Sequence, residues 1–148
     1  MMLVYTSEPL EQEIELLGQI SVTLYAATTA KDTDFTARFC VVDTSGKSVN
    51  LQEGILRLRY RESLSDPKPA VQGEIYELRI ELGPVGARVP GGSRLRLDIS
   101  SSDFPQWDRN LNTGGTPLWE SVLDAVPATQ TVLHDQDRPT RVTLPVRR

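Results

Sequence analysis

The stretch that decides the fold is Ile14–Ala26, IELLGQISVTLYA. Ile14, Leu16, Ile20, Val22, Leu24 and Ala26 occupy even positions, and Glu15, Gln19, Ser21 and Thr23 occupy odd ones. Successive side chains of an extended chain point to opposite faces, so this period of two predicts a β-strand with one buried face. Gly18 interrupts the apolar row. A missing side chain in mid-strand predicts a bend or bulge where the strand turns a corner.

The same alternation recurs on the C-terminal side. DFTARFCVVD, Asp34–Asp43, predicts a second strand, closed by the turn Thr44-Ser45-Gly46. In ILRLRYRE, Ile55–Glu62, the residues Leu56, Leu58 and Tyr60 share one face, with Arg57, Arg59 and Arg61 opposite. GEIYELRIEL, Gly73–Leu82, places Tyr76, Leu78, Ile80 and Leu82 inward, and RLRLDIS, Arg94–Ser100, does the same with Leu95, Leu97 and Ile99. Thr131–His134 and Thr140–Val146 predict short closing strands. Turn-rich segments lie between these runs at Ser63–Gly73, Gly83–Gly92 and Phe104–Pro117. One stretch, PLWESVLDA at Pro117–Ala125, predicts one or two turns of helix.

Short strands with one apolar face pack as two antiparallel sheets, so the expected fold is all-β, a jelly-roll sandwich. A parallel sheet would need continuous apolar runs and helical crossovers. The length of 148 residues fits one domain, 1–148, large enough to bury a core without staples. A single cysteine, Cys40, allows no internal disulfide. The net charge of −4, with both signs interspersed, opposes a nucleic-acid surface, which wants a basic stripe. No apolar run is long enough to span a bilayer, and MMLVYTSEPLEQ lacks the basic start and apolar run of a signal peptide. These features predict no membrane partner and a cytoplasmic location.

The residues that could carry chemistry do not combine into a catalytic set. Gly91-Gly92-Ser93-Arg94-Leu95 lacks the second glycine of a nucleophile elbow and opens a strand instead of a helix. His134, the only histidine, is followed by Asp135 and Asp137, but a base next in sequence to its orienting acid matches no triad. Cys40 sits in an apolar strand and reads as a small core residue. Asp108, Asn110 and Asn112 form D-x-N-x-N, the opening of a calcium loop, yet the sixth and twelfth positions are Thr113 and Trp119 in place of Gly and Glu. Asp and Asn in such runs also hydrogen-bond the backbone of tight loops. A single His and a single Cys argue strongly against a zinc site. The arginines Arg57, Arg59, Arg61, Arg94 and Arg96 read as a solvated sheet face paired with Glu74, Glu77, Glu81 and Asp98. The expectation is no catalytic residue, no metal and no cofactor.

Several strings in fixed order carry a resemblance: YTSEPLEQEIELLGQISVTLYA, DTDFTARF, LQEGILRLRYRESL, GEIYELRIEL, RLRLDISSSDFPQWDRNLNTGG and RPTRVTLPV. Together they resemble the C-terminal β-sandwich domain, galactose-binding-like in shape, of X-Pro dipeptidyl-peptidases, cocaine esterase and related serine hydrolases. The resemblance runs from about Leu3 to the end. It implies a jelly roll that follows an α/β-hydrolase domain and a helical cap, with serine, histidine and acid all in that hydrolase domain and none in this chain. It implies a parent that hydrolyses amide or ester bonds, with this domain stabilising the enzyme, shaping its active-site entrance and contributing oligomer contacts. Three positions depart from the family pattern: Val41 replaces an aspartate, Thr44-Ser45-Gly46 replaces Pro-Asp-Gly, and Ser93 replaces a histidine.

Within FPQWDRNLNTGG, Asp108, Arg109, Asn110 and Asn112 are expected to form a hydrogen-bonded loop built on an Arg–carboxylate pair. Phe104, Pro105 and Trp107 are expected to cover the core or meet the hydrolase domain. Such a domain should show an apolar patch that its partner covers, and the patch could drive homo-oligomerisation. The alternative function is a stand-alone jelly-roll module that binds carbohydrate or another ligand through Trp107, Trp119 and Tyr25.

Overall fold

The computed structural model describes residues 2–116 and 119–147. Nine strands follow in order: β1 Leu3–Thr6, β2 Ile14–Thr28, β3 Asp34–Val42, β4 Ser48–Arg57, β5 Tyr76–Val89, β6 Arg94–Ser100, β7 Gln130–Leu133, β8 Arg141–Thr143 and β9 Val146–Arg147. One sheet has the order β1-β6-β3-β4. The other is built on β2, which pairs β5 along one edge and β7, β8 and β9 along the other. Every pairing is antiparallel. The expected all-β two-sheet sandwich is the observed architecture.

The alternation in β2 works as its sequence predicts. Leu16, Ile20, Val22, Leu24 and Ala26 are buried and face Phe35, Ala37, Phe39, Leu97 and Ile99 of the opposite sheet. Burying each large apolar side chain contributes about 1.5–3 kcal/mol, which makes this interface the main source of stability. Gly18 has φ +138°, and a Cβ there would meet Pro145. The register of β2 against β5 shifts at Ile20/Ser21, two residues further on.

Several boundaries differ from the sequence expectation, and the strand expected over Thr140–Val146 is split into β8 and β9. β1 was not foreseen; it pairs β6 with Leu3 opposite Ile99 and Tyr5 opposite Leu97. β4 starts earlier and stops at Arg57, where a 3-10 turn, Leu58–Tyr60, replaces the expected strand end. The Leu58 N–H donates to the Thr33 carbonyl and the Arg59 N–H to the Asp32 carboxylate, so the chain is pulled off the ladder. β5 runs on to Val89 through Gly83 and Pro84, which the sequence assigned to a turn. A proline is tolerated there because β5 is the edge of its sheet. Of the helical stretch expected over Pro117–Ala125, residues 117 and 118 lie outside the described residues. The rest holds a 3-10 turn, Val122–Asp124, with a Ser121/Asp124 capping box. Pro127 disfavours helix at Val126, whose N–H instead donates to Leu111.

The two sheets meet closely where β4 faces β5. A Cβ on Gly54 would collide with the Glu81 carbonyl oxygen. The opposite side, between β1 and β7–β8, is open and holds two cavities of about 490 and 380 Å³.

Candidate functional site

The approach to β3, the end of β4 and the loop after β6 converge on a cluster of charges. Asp32 and Asp34 are each 1% exposed. Asp34 accepts two hydrogen bonds from Arg57, Nε at 2.9 Å and Nη2 at 3.0 Å. Asp32 accepts from Arg59 Nε at 2.6 Å and from the Arg59 N–H at 2.9 Å. Asn110 Nδ2 bridges both carboxylates, 2.9 Å from Asp32 and 2.8 Å from Asp34. Arg59 Nη1 donates to the Gly115 carbonyl at 2.8 Å. Two ionised carboxylates this deep would be costly alone; two guanidiniums and a shared amide offset their desolvation. The Arg57 pKa is driven further up by its hydrogen bonds to Asp34, so that guanidinium stays charged.

The alternation of the sequence produces this geometry. Asp32-Thr33-Asp34 puts two carboxylates on one side with a fully buried Thr33 between them, and Arg57-Leu58-Arg59 answers with two guanidiniums around buried Leu58. The signal was legible as a D-x-D run and an R-x-R run, but the partners expected for the arginines were Glu74, Glu77, Glu81 and Asp98. In the structure Glu74 and Glu77 accept from Tyr76 and Tyr25, and Glu81 pairs with Arg79. Arg61 lies over the Tyr76 ring and donates to the Leu58 and Lys68 carbonyls. Arg96 does pair with Asp98.

The loop residues divide in their placement. Asn110 joins the cluster as described. Its Oδ1 accepts the Asn112 N–H at 2.9 Å, which closes a turn at Asn112, φ +63°. Asn112 Nδ2 donates to the Val126 carbonyl at 2.9 Å. Both ends of the Asn110 side chain are therefore used within the fold. Asp108 is exposed and makes one longer ion pair, 3.3 Å to Arg57. Arg109 lies elsewhere: its guanidinium stacks over the Phe104 ring at 4.2 Å. The guanidiniums that pair with carboxylates here are thus Arg57 and Arg59, from another part of the chain. Phe104 is 55% exposed, Pro105 is exposed beside it, and Trp107 is half-buried with its N–H on the Asp103 carbonyl. Asp103 in turn holds Arg38 by two 2.8 Å hydrogen bonds.

No hydrogen bond joins the reactive side chains Ser93, Cys40 and His134 to one another among the described residues. Ser93 is buried at the start of β6, and Cys40 is buried in β3, where desolvation pushes its thiol pKa up. His134 meets Tyr5 edge-on, ring centres 5.9 Å apart, on the wall of the larger cavity. That cavity is lined by Tyr5, Phe39, Leu95, Leu97 and Val142. Arg96 and Arg141 also border it. They sit in register with Cys40 and Thr23, at positions whose side chains point out of the sandwich. Tyr25 donates to Glu77 on the outer face, and Trp119 is 86% exposed on the loop that follows Gly115.

Over residues 2–143 the sequence matches the family described as the X-Pro dipeptidyl-peptidase C-terminal non-catalytic domain. The chain belongs to that family. It is 36% identical over 144 residues to cocaine esterase of Rhodococcus sp. strain MB1 Bresler, covering 97% of this chain and 25% of the esterase. An aminopeptidase from a marine-sediment Thaumarchaeota archaeon superposes with TM-score 0.93 at 29% identity, over 99% of this chain and 26% of its own. An α-amino acid ester hydrolase superposes with TM-score 0.92, also at 29% identity, over 99% and 25% of the two chains. This non-catalytic C-terminal domain therefore spans about a quarter of the length of the relatives it matches.

Proposed function

We propose that this chain serves as the non-catalytic sandwich of a serine hydrolase that cleaves amide or ester bonds, bracing the α/β-hydrolase domain and helping to form the approach to its active site. What carries the reading is how the polar chemistry of the chain is spent. Asp32, Asp34, Arg57, Arg59 and Asn110 lock one another inside the fold, while Ser93 and Cys40 are buried and His134 packs against Tyr5. A cluster satisfied in this way rigidifies a scaffold and leaves no group poised to attack a substrate. Phe104 and Pro105, exposed beside the clamp, are surfaces the hydrolase domain would cover. The test compares the purified chain with the full-length hydrolase, using a fluorophosphonate probe, a p-nitrophenyl acyl ester and an Xaa-Pro amide. The chain alone should neither label nor turn over. Stoichiometric labelling of the isolated chain at one serine would refute the assignment.

A further inference from the structure

We infer that the segment Trp119–Val126 is a preformed apolar hook by which this domain docks onto its hydrolase domain, an inference that rests on the function proposed above. Trp119 is 86% exposed, Leu123 94% and Val122 64%. Side chains of this size in solvent are ordinary when scattered, but here three fall within five consecutive residues.

The segment is also tied to the fold by hydrogen bonds at several points. Val126 is fixed from both sides, its N–H on the Leu111 carbonyl and its own carbonyl on Asn112 Nδ2. The Trp119 N–H donates to the Thr116 carbonyl, and Glu120 takes the Thr113 hydroxyl. Ser121 and Asp124 close a capping box over the 3-10 turn. The anchors Leu111, Asn112 and Thr113 follow directly on Asn110, so the charge clamp positions the hook. Each of these hydrogen bonds lowers the ordering entropy that docking would cost.

Its chemistry points to one kind of partner face. The segment carries two carboxylates, but both are occupied within it: Glu120 by Thr113, and Asp124 by the Ser121 N–H. What remains outward is Trp119, Val122 and Leu123, so the complement is an apolar cleft that admits an indole and a leucine. The relatives supply the occupant, because three-quarters of their length lies outside the part that this chain matches.

The experiment compares Trp119→Ser/Leu123→Ser in two settings, the full-length hydrolase and the isolated chain. Anchors of this kind dominate interface energetics. Thermal inactivation of the full-length enzyme should therefore accelerate about ten-fold or more, with little change on raising the salt concentration. The isolated chain should melt where it did before, because Trp119 is 86% and Leu123 94% exposed within it. Unchanged inactivation of the full-length variant overturns the docking assignment. So does an isolated chain that loses as much stability as the whole enzyme. Deleting the domain separates the two readings: if deletion leaves inactivation unaltered, both fail; if deletion accelerates it and the double variant does not, the hook alone fails.

Discussion

Asn110→Ala should be the most damaging single change that the loop FPQWDRNLNTGG can suffer. The side chain supplies one donor group to two carboxylates that are each 1% exposed. A hydrogen bond to a charged group contributes about 1.5–3 kcal/mol. Asn110 is half-buried, so water will partly replace the lost amide, and the two bonds together come to about 2–4 kcal/mol. The Asn112 N–H loses its acceptor as well. For a domain of this size each kcal/mol lowers Tm by about 2–4 °C, so a fall of about 4–16 °C is expected. Urea unfolding followed by tryptophan fluorescence gives the free energy directly, with the m-value checking that two-state behaviour survives. Arg109→Ala is the internal control: its exposed stacking on Phe104 contributes only about 0.5–1 kcal/mol. Asn110→Asp adds a third carboxylate to the two already there, and like charges disfavour ionisation. Its deficit against the parent should shrink as pH falls, because the protonated acid can donate where the amide did. An Asn110→Ala variant within about 0.5 kcal/mol of the parent, or an Arg109→Ala variant that matches it, would show that the clamp is not what holds this loop.

Two further changes test the frame around the clamp. Gly54→Ala should cost about 2–4 kcal/mol or prevent folding, because the new methyl meets a backbone carbonyl of β5 that cannot swing away; near-parental stability in urea would contradict the close approach of β4 and β5. Asp43 caps its turn by accepting from the Ser45 hydroxyl and from the Lys47 and Ser45 N–H groups, which hold its pKa below the ordinary 3.8. A depressed carboxylate pKa stabilises the fold above the unfolded-state value and loses that contribution as pH falls through the folded-state value. Asp43→Ala should therefore be less stable than the parent at neutral pH and indistinguishable from it once pH has dropped well below 3.8. A pH-independent difference would assign the effect to packing instead.

The two-sheet architecture was legible in the chain because β2 and β5 alternate buried and exposed residues over much of their length, and a period of two is a local property that neighbours in sequence suffice to reveal. Where two principles competed, local reading failed. Arg57 and Arg59 alternate like an exposed strand face, but Asp32 recruits the Arg59 backbone and ends the strand in a 3-10 turn. Pro84 reads as a turn, yet the free outer edge of β5 accepts it. In FPQWDRNLNTGG the carboxylate–arginine–amide grouping pointed to a hydrogen-bonded loop, but the choice of partner lay outside it. Asn110 reaches Asp32 and Asp34, 78 and 76 residues away, while adjacent Arg109 turns to Phe104. Alternation along a strand fixes which face a residue occupies. Which charges meet across a sandwich depends on how distant strands are brought together, and that is set only when the sheets pack.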